Sequence, residues 1–407
     1  MPYKIKNVIK AFIKCEGDKI MSYHVICASA TTPTDLKKKA DFICDEADAR
    51  PILQRAIDQA SLLGVNCVLL PGTYEINSCG ERSKNGAICF YNSEPEQRFY
   101  SQNKSHYHVL EGAKIPLGYL DGAIITMGKE FYNSLKDDVS FSLFYADGGS
   151  PYGRGMIIKN LVVQLPASNK PVIVFDGSAA SAIRYEDCWV TSFNPNDVNL
   201  ATAEKIPVPH SESVAFRGCC GSNFYSAEWK NLAAQGFGVG FDIGGEHVYC
   251  ESLSALYNIY GFRFDGYKGK KDFDGVSDYA FGISVYPMTC VNLLDEHNVN
   301  LPFFGNASNN GNTRDTCHKS ITILGMNTQW PNTCPGYTDR SSPNFIKGRS
   351  RATEAQKGVW HGTIEYVIDH TTDNGGINIC NEPFFEKGNG IHILEKNIIS
   401  TEKKINA

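Results

Sequence analysis

No stretch of these 407 residues approaches the ~18 consecutive apolar side chains of a membrane-spanning helix, so the membrane is not an expected partner. Sustained basic runs are missing too, and the formal net charge is -5. A nucleic-acid groove needs clustered Lys and Arg, so nucleic acid is not expected either. There is no CxxC pair, which removes zinc-ribbon and thioredoxin-type motifs, and no metal or cofactor is expected. The first twenty residues carry lysines throughout and lack the uncharged core of a signal peptide. Met21 opens a more natural beginning, and residues 1–40 read as an N-terminal extension. The expected location is the cytoplasm or a phage particle. Two-residue hairpin signals are scarce, which tells against a β-sandwich built from tight turns.

What is present suits a folded body. Hydrophobic residues make up 42% and charged residues 20%, which argues against disorder. Fourteen cysteines are a high count, but Cys188, Cys250 and Cys290 sit inside apolar stretches, as reduced, buried thiols do. Between Asp41 and Ile76 the chain reads as strand, helix, turn and strand. Leu53, Ala56, Ile57, Ala60 and Leu63 recur at helical spacing. Asp48 is placed to cap this helix, Pro51 suits its first turn and Gly64 its C′ position. Cys67 to Leu70 then form a buried strand, ending in the turn Pro71-Gly72-Thr73-Tyr74.

This run, from Ala40-Asp41-Phe42-Ile43-Cys44-Asp45 through the helix to Leu70-Pro71-Gly72-Thr73-Tyr74, resembles the opening of pectate-lyase-like parallel β-helix proteins. The resemblance implies an all-β fold, a right-handed parallel β-helix (a solenoid) whose N-terminal end is plugged by a capping helix. It points to two kinds of relative. One is the inulin fructotransferase type, a trimer that uses carboxylates to cleave a fructan without water. The other is the phage tailspike or prophage depolymerase type, also trimeric, which binds and often cuts surface polysaccharide. The implied partners are therefore a poly- or oligosaccharide and two further copies of the chain, as a homotrimer.

The rest of the sequence fits a solenoid. Short apolar strands recur, and two similar units, one from Ile157 and one from Ile183, begin 26 positions apart (157 to 183). One coil needs on the order of 20–30 residues. Asn160, Asp187, Asn231 and Asn292 lie beside these strands and suit inward ladders or turn positions. The helix body is expected over 41–330 and C-terminal coils or a cap over 331–407. Polar excursions at 195–213 and 267–282 would project from one face and wall a groove.

Glycosidic cleavage uses one carboxylic acid at the leaving oxygen and a second carboxylate as base or nucleophile. Asp242 and Glu246, across a Gly-Gly turn with His247 as the orienting imidazole, are the expected acid/base pair. Asp295 and Glu296, followed by His297, form a reserve cluster that stacking would bring near the first. Trp229, Tyr249, Tyr257 and Tyr260, with Arg263 among them, are the expected sugar-binding residues, since C–H faces of sugar rings stack on aromatic rings. The bland alternative for each is core packing or a solvated turn. The segment holding Asp272, Asp274 and Asp278 resembles a calcium loop but lacks the terminal Glu. The reading of function is thus a carbohydrate-active enzyme cleaving glycosidic bonds, with a non-catalytic polysaccharide-binding module as the alternative.

Overall fold

The computed structural model describes residues 24–91, 107–117, 121–147, 155–178, 180, 182–194, 208–218, 227–243, 248–264, 288–296 and 298, with the strands at 303–304, 320–329, 361–370 and 391–400. The chain opens with β1 (His24–Ser29), α1 (Thr34–Lys37), β2 (Phe42–Cys44), α2 (Arg50–Leu63), β3 (Asn66–Leu69) and β4 (Gly72–Ile76). There follow β5 (Gly86–Tyr91), β6 (Tyr107–Gly112), β7 (Ala123–Met127), α3 (Lys129–Ser134), β8 (Phe141–Asp147), β9 (Gly155–Lys159), β10 (Leu161–Gln164) and β11 (Val172–Asp176). From there strands alternate in length: β12 (Ala182–Thr191), β13 (Val214–Arg217), β14 (Ala227–Gln235), β15 (Val239–Asp242), β16 (Val248–Leu256) and β17 (Tyr260–Phe264). The last are β18 (Met288–Glu296), β19 (Phe303–Phe304), β20 (Ser320–Gln329), β21 (His361–His370) and β22 (Ile391–Ser400).

The protein is mostly β, and its strands form two long sheets. The larger runs β2-β1-β3-β6-β9-β12-β14-β16-β18-β20-β21-β22, with β4, β7 and β10 paired alongside, and the smaller runs β19-β17-β15-β13-β11-β8-β5. From β11 to β20 the chain passes from one sheet to the other, and each return adds a parallel neighbour to the strand before it. Long parallel sheets with this connectivity are compatible with a parallel β-helix. The parallel pattern ends at β20, which pairs antiparallel with β21, and β21 with β22.

Four long strands of the larger sheet, β12, β14, β16 and β18, each hold one left-handed residue, and a fifth stands between β9 and β10. Asn160, Asp187, Asn231, Ser252 and Asn292 all have φ between 51° and 56°. The pairings on either side place them over one another, Glu186 with Lys230 and Cys188 with Leu232, then Glu251 with Val291 and Leu253 with Leu293. Asn and Asp tolerate the left-handed region better than other L-residues, because their short polar side chains bond locally. Asn231 Nδ2 donates to Asp187 Oδ1 (3.0 Å) and Asn292 Nδ2 to Ser252 Oγ (3.1 Å), so the column is tied rung to rung. On either side of it the inward residues alternate normally: Tyr185 then Cys188 and Val190, Trp229 then Leu232 and Ala234, Cys250 then Leu253 and Ala255, all buried.

The column also sets the register, and it moves the expected repeat by one residue. Ile157 pairs with Arg184, and Ile183 pairs with Met156. Sequence similarity had aligned Ile157 with Ile183; the left-handed corner, Asn160 over Asp187, decides otherwise. A slip of one residue would turn every inward side chain outward.

Inside, the two sheets share one apolar core. Phe144, Phe175, Phe216, Phe241 and Phe262 occupy one column of the smaller sheet, each 5.2 to 5.3 Å from the next by ring centroid. Trp229 of the larger sheet reaches Phe216 and Phe241 across the interior, at 6.5 and 6.4 Å. The eight described cysteines are all free thiols. Burial pushes the Cys188 thiol up to about 12.

Helix α2 packs against β1, β2, β3, β5 and β6 through buried Leu53, Ala56, Ile57 and Ala60. Gly64 ends it in the left-handed conformation (φ 69°), as expected, but Ala49, not Asp48, is the N-cap residue. Asp48 Oδ1 instead accepts the backbone N–H groups of Arg50 and Asn77, fastening the start of the helix to the end of β4. Gln54 exchanges two 2.8 Å hydrogen bonds with the backbone of Cys89, covering part of the β5 edge of the smaller sheet.

The corner conformation predicts a substitution pattern at Asn231. Asn231→Gly is expected to change stability by under about 1 kcal/mol, whereas Asn231→Val costs roughly 1–3 kcal/mol. Equal tolerance of both in urea denaturation would show that the corner is not left-handed.

Candidate functional site

Two polar assemblies stand out. One is buried at the ends of the short strands. Asp176, Arg217 and Asp242 close β11, β13 and β15, and Arg263 stands one residue before the end of β17, all in register with one another. They alternate in sign along the sheet. Arg217 Nε donates to Asp242 Oδ2 (3.1 Å); Arg263 donates from Nε to Oδ1 (3.0 Å) and from a terminal nitrogen to Oδ2 (2.6 Å). Ser142 donates to Asp176 at 2.6 Å. Asp242 is 2% exposed. Burial alone would raise its pKa, but the charges and hydrogen bonds of Arg263 and Arg217 overcome it and hold the carboxyl below the usual range. A general acid must carry a proton at working pH and reach its substrate. Asp242 is ionised and enclosed, so this geometry suits an ion-pair centre and not the acid of a glycosidase. Residues 244–247, which join β15 to β16, lie outside the described residues, and Glu246 and His247 with them.

The reserve cluster divides in the same way. Asp295 is 3% exposed. Asn298 Nδ2 donates to its Oδ1 (2.8 Å), while Asn298 Oδ1 accepts from the backbone and side chain of Asn258. Gly261 leaves the space for this: a Cβ there would come within 2.0 Å of Asp295 Oδ1. Asp295 therefore satisfies a buried corner. Glu296 ends β18, and its side chain is outside the described residues, as are His297 and the Asp272, Asp274 and Asp278 segment. Among the described residues no His, Cys, Asp and Glu group could hold a metal ion.

The aromatic candidates separate by exposure. Trp229 (0% exposed) and Tyr257 (4%) belong to the core, because Trp229 stands at an inward position of β14 and Tyr257 turns inward at its own left-handed corner (φ 57°). Neither ring is open to a sugar. Tyr260 packs on Ile173, Val214 and Val239, and Arg263 is committed to Asp242. Tyr249 alone of the five is exposed, at 41%.

Tyr249 lies in the second assembly, on the outward face of the larger sheet. Two columns run across its strands. Arg184, Glu228 and Tyr249 form one; Glu111, Lys159, Glu186, Lys230 and Glu251 form the other. Ion pairs link neighbours: Lys159 to Glu186 (2.5 Å), Arg184 to Glu228 (3.6 Å) and Lys230 to Glu251 (3.6 Å). The Tyr249 hydroxyl donates to Glu251 at 3.4 Å. Glu228 and Lys230 escaped sequence reasoning, although the alternation Glu228-Trp229-Lys230 beside Tyr249-Cys250-Glu251 carries the signal once the inward Trp229 and Cys250 are paired.

Comparison with protein families, with curated proteins and with solved structures finds no match for this chain.

The buried ion-pair centre yields a stability prediction. Asp242→Asn removes the carboxylate to which Arg217 and Arg263 both donate and should cost roughly 3–5 kcal/mol. Because the folded-state pKa is depressed, the carboxylate's stabilisation is complete above the unfolded carboxylate range and is lost as pH falls through the folded value. Wild type should therefore lose stability in acid more steeply than Asp242→Asn; parallel acid profiles would contradict this assignment.

Proposed function

We propose that the two sheets close into a right-handed parallel β-helix, with α2 covering its N-terminal end, and that the protein recognises a poly- or oligosaccharide on the outward face around Tyr249. The observation that carries this reading is the exposed Tyr249 ring, set among carboxylates and cations on a regular sheet surface. The apolar face of a sugar ring stacks on such an aromatic side chain, while carboxylates accept from its hydroxyls and Arg or Lys donate to its oxygens. The closed helix is supported by the strand alternation between sheets and by the shared core. The cap is supported by α2, whose contacts are with the first strands of both sheets.

Cleavage is the second reading, favoured by the placement of Glu228 and Glu251. They occupy diagonal positions on neighbouring strands, beside Tyr249. With strands ~4.8 Å apart and ~3.3 Å per residue, their Cα atoms stand roughly 8 Å apart, a backbone spacing from which two carboxyl groups can reach the roughly 6.5–9.5 Å separation of an inverting glycosidase. One carboxyl would protonate the leaving oxygen while the other draws a proton from that water.

The test is glycan binding and product formation on a panel of fructans, glucans and bacterial surface polysaccharides. Tyr249→Ala should weaken binding by about tenfold or more with the fold unchanged, as loss of a stacking ring implies. Glu228→Gln and Glu251→Gln should abolish any product formed. Full binding by Tyr249→Ala would remove this face from the account. Binding without product in wild type would leave recognition as the function.

A further inference from the structure

The charges around Tyr249 are arranged as a checkerboard, and this bears on which glycan the face accepts. Along one column the order is Glu111, Lys159, Glu186, Lys230, Glu251; along the other it is Arg184, Glu228, Tyr249. Every charged side chain has an opposite charge beside it on the next strand, and Arg184 with Glu186, and Glu228 with Lys230, oppose each other along a strand. Lys159, Arg184 and Lys230 stand against Glu111, Glu186, Glu228 and Glu251, so the patch is close to balanced with a slight excess of negative charge. The side chains of the three ion pairs are between a third and a half exposed, accessible to a ligand while paired.

Such a surface has little field beyond the spacing of its own charges, and it does not steer a charged polymer towards itself. An acidic polysaccharide laid here would bring its carboxylates against Glu186, Glu228 or Glu251 and would have to compete for cations already paired. Like charges brought together at an interface count against that partner. A hydroxyl-rich neutral chain meets no such opposition. β12, β14 and β16 each offer a donor and an acceptor side by side (Arg184 and Glu186, Glu228 and Lys230, Tyr249 and Glu251), which suits neighbouring hydroxyls. The patch is also elongated. The two columns run side by side over β12, β14 and β16, and the run from Lys159 to Glu251 spans four strands, β9, β12, β14 and β16, at ~4.8 Å per strand.

We infer that this face takes an uncharged, linear oligosaccharide lying across the strands, and that it excludes acidic glycans. The inference rests on the proposed recognition face and narrows its ligand class. Neutral cello-, manno- and fructo-oligosaccharides of increasing length are to be compared with oligogalacturonates by titration calorimetry, at low and high salt. At least one neutral series should bind, with affinity rising until the chain spans the four strands and then levelling off, and with little response to salt. Oligogalacturonates should bind at least about tenfold more weakly. The double variant Glu228→Lys/Glu251→Lys gives the face net positive charge and should gain salt-sensitive binding of oligogalacturonate.

The outcomes separate the two claims. Tight, Tyr249-dependent binding of oligogalacturonate by wild type would overturn the neutral-ligand inference and keep the recognition face. Neutral binding that survives Tyr249→Ala would overturn both, as would failure to bind any series. No gain of acidic binding in the charge-reversed variant would also count against the inference.

Discussion

A left-handed residue at the same place in four successive long strands, and at the β9–β10 junction beside them, is the constraint on which the rest of this structure depends. Asn160, Asp187, Asn231, Ser252 and Asn292 each bend the chain at one point and fix which residue stacks on which. Given that register, Tyr185, Trp229 and Cys250 fall inward together, five phenylalanines form a column in the other sheet, and the outward charges fall into alternating order. Parallel strands leave backbone groups that only a neighbour in register can satisfy. The corner column supplies that register at little cost, because Asn and Asp adopt the left-handed conformation more readily than most residues.

The same stacking divides the polar residues into two populations. Asp176, Arg217, Asp242 and Arg263, and the Asp295, Asn258 and Asn298 corner, are enclosed and bonded to one another. They are the groups a parallel sheet must satisfy internally if it is to keep them at all. The checkerboard around Tyr249 is open to solvent. Exposed ion pairs of this kind contribute little stability, so the checkerboard follows from the register and does not set it.

Much of the fold was legible in the sequence. The apolar period placed α2 and its buried face, Gly64 marked its end, and the Asn and Asp residues beside the strands proved to be the corner positions. What could not be read was anything that depends on register. Arg217, Asp242 and Arg263 are distant in sequence, and only stacking reveals that Asp242 is the centre of an ion-pair cluster. Trp229 resembles a sugar-stacking ring in a list of aromatics, but its parity on β14 puts it in the core. Glu228 drew no attention because its importance lies in its neighbour Tyr249, on the next strand.

The register itself is the central claim, and thiol cross-linking across β14 and β16 tests it most directly. Ala233 is paired with Ser254, both on the outward side, while Ala255 faces the core. With Ala233→Cys and Ser254→Cys in one chain, a short bifunctional maleimide should link the two introduced thiols in the folded protein, read as a linked peptide by mass spectrometry. With Ala233→Cys and Ala255→Cys the same reagent should leave them unlinked. Linkage of the second pair and not the first would mean that the strands are slipped by one residue. Corner, core and the proposed recognition face would then all be misplaced.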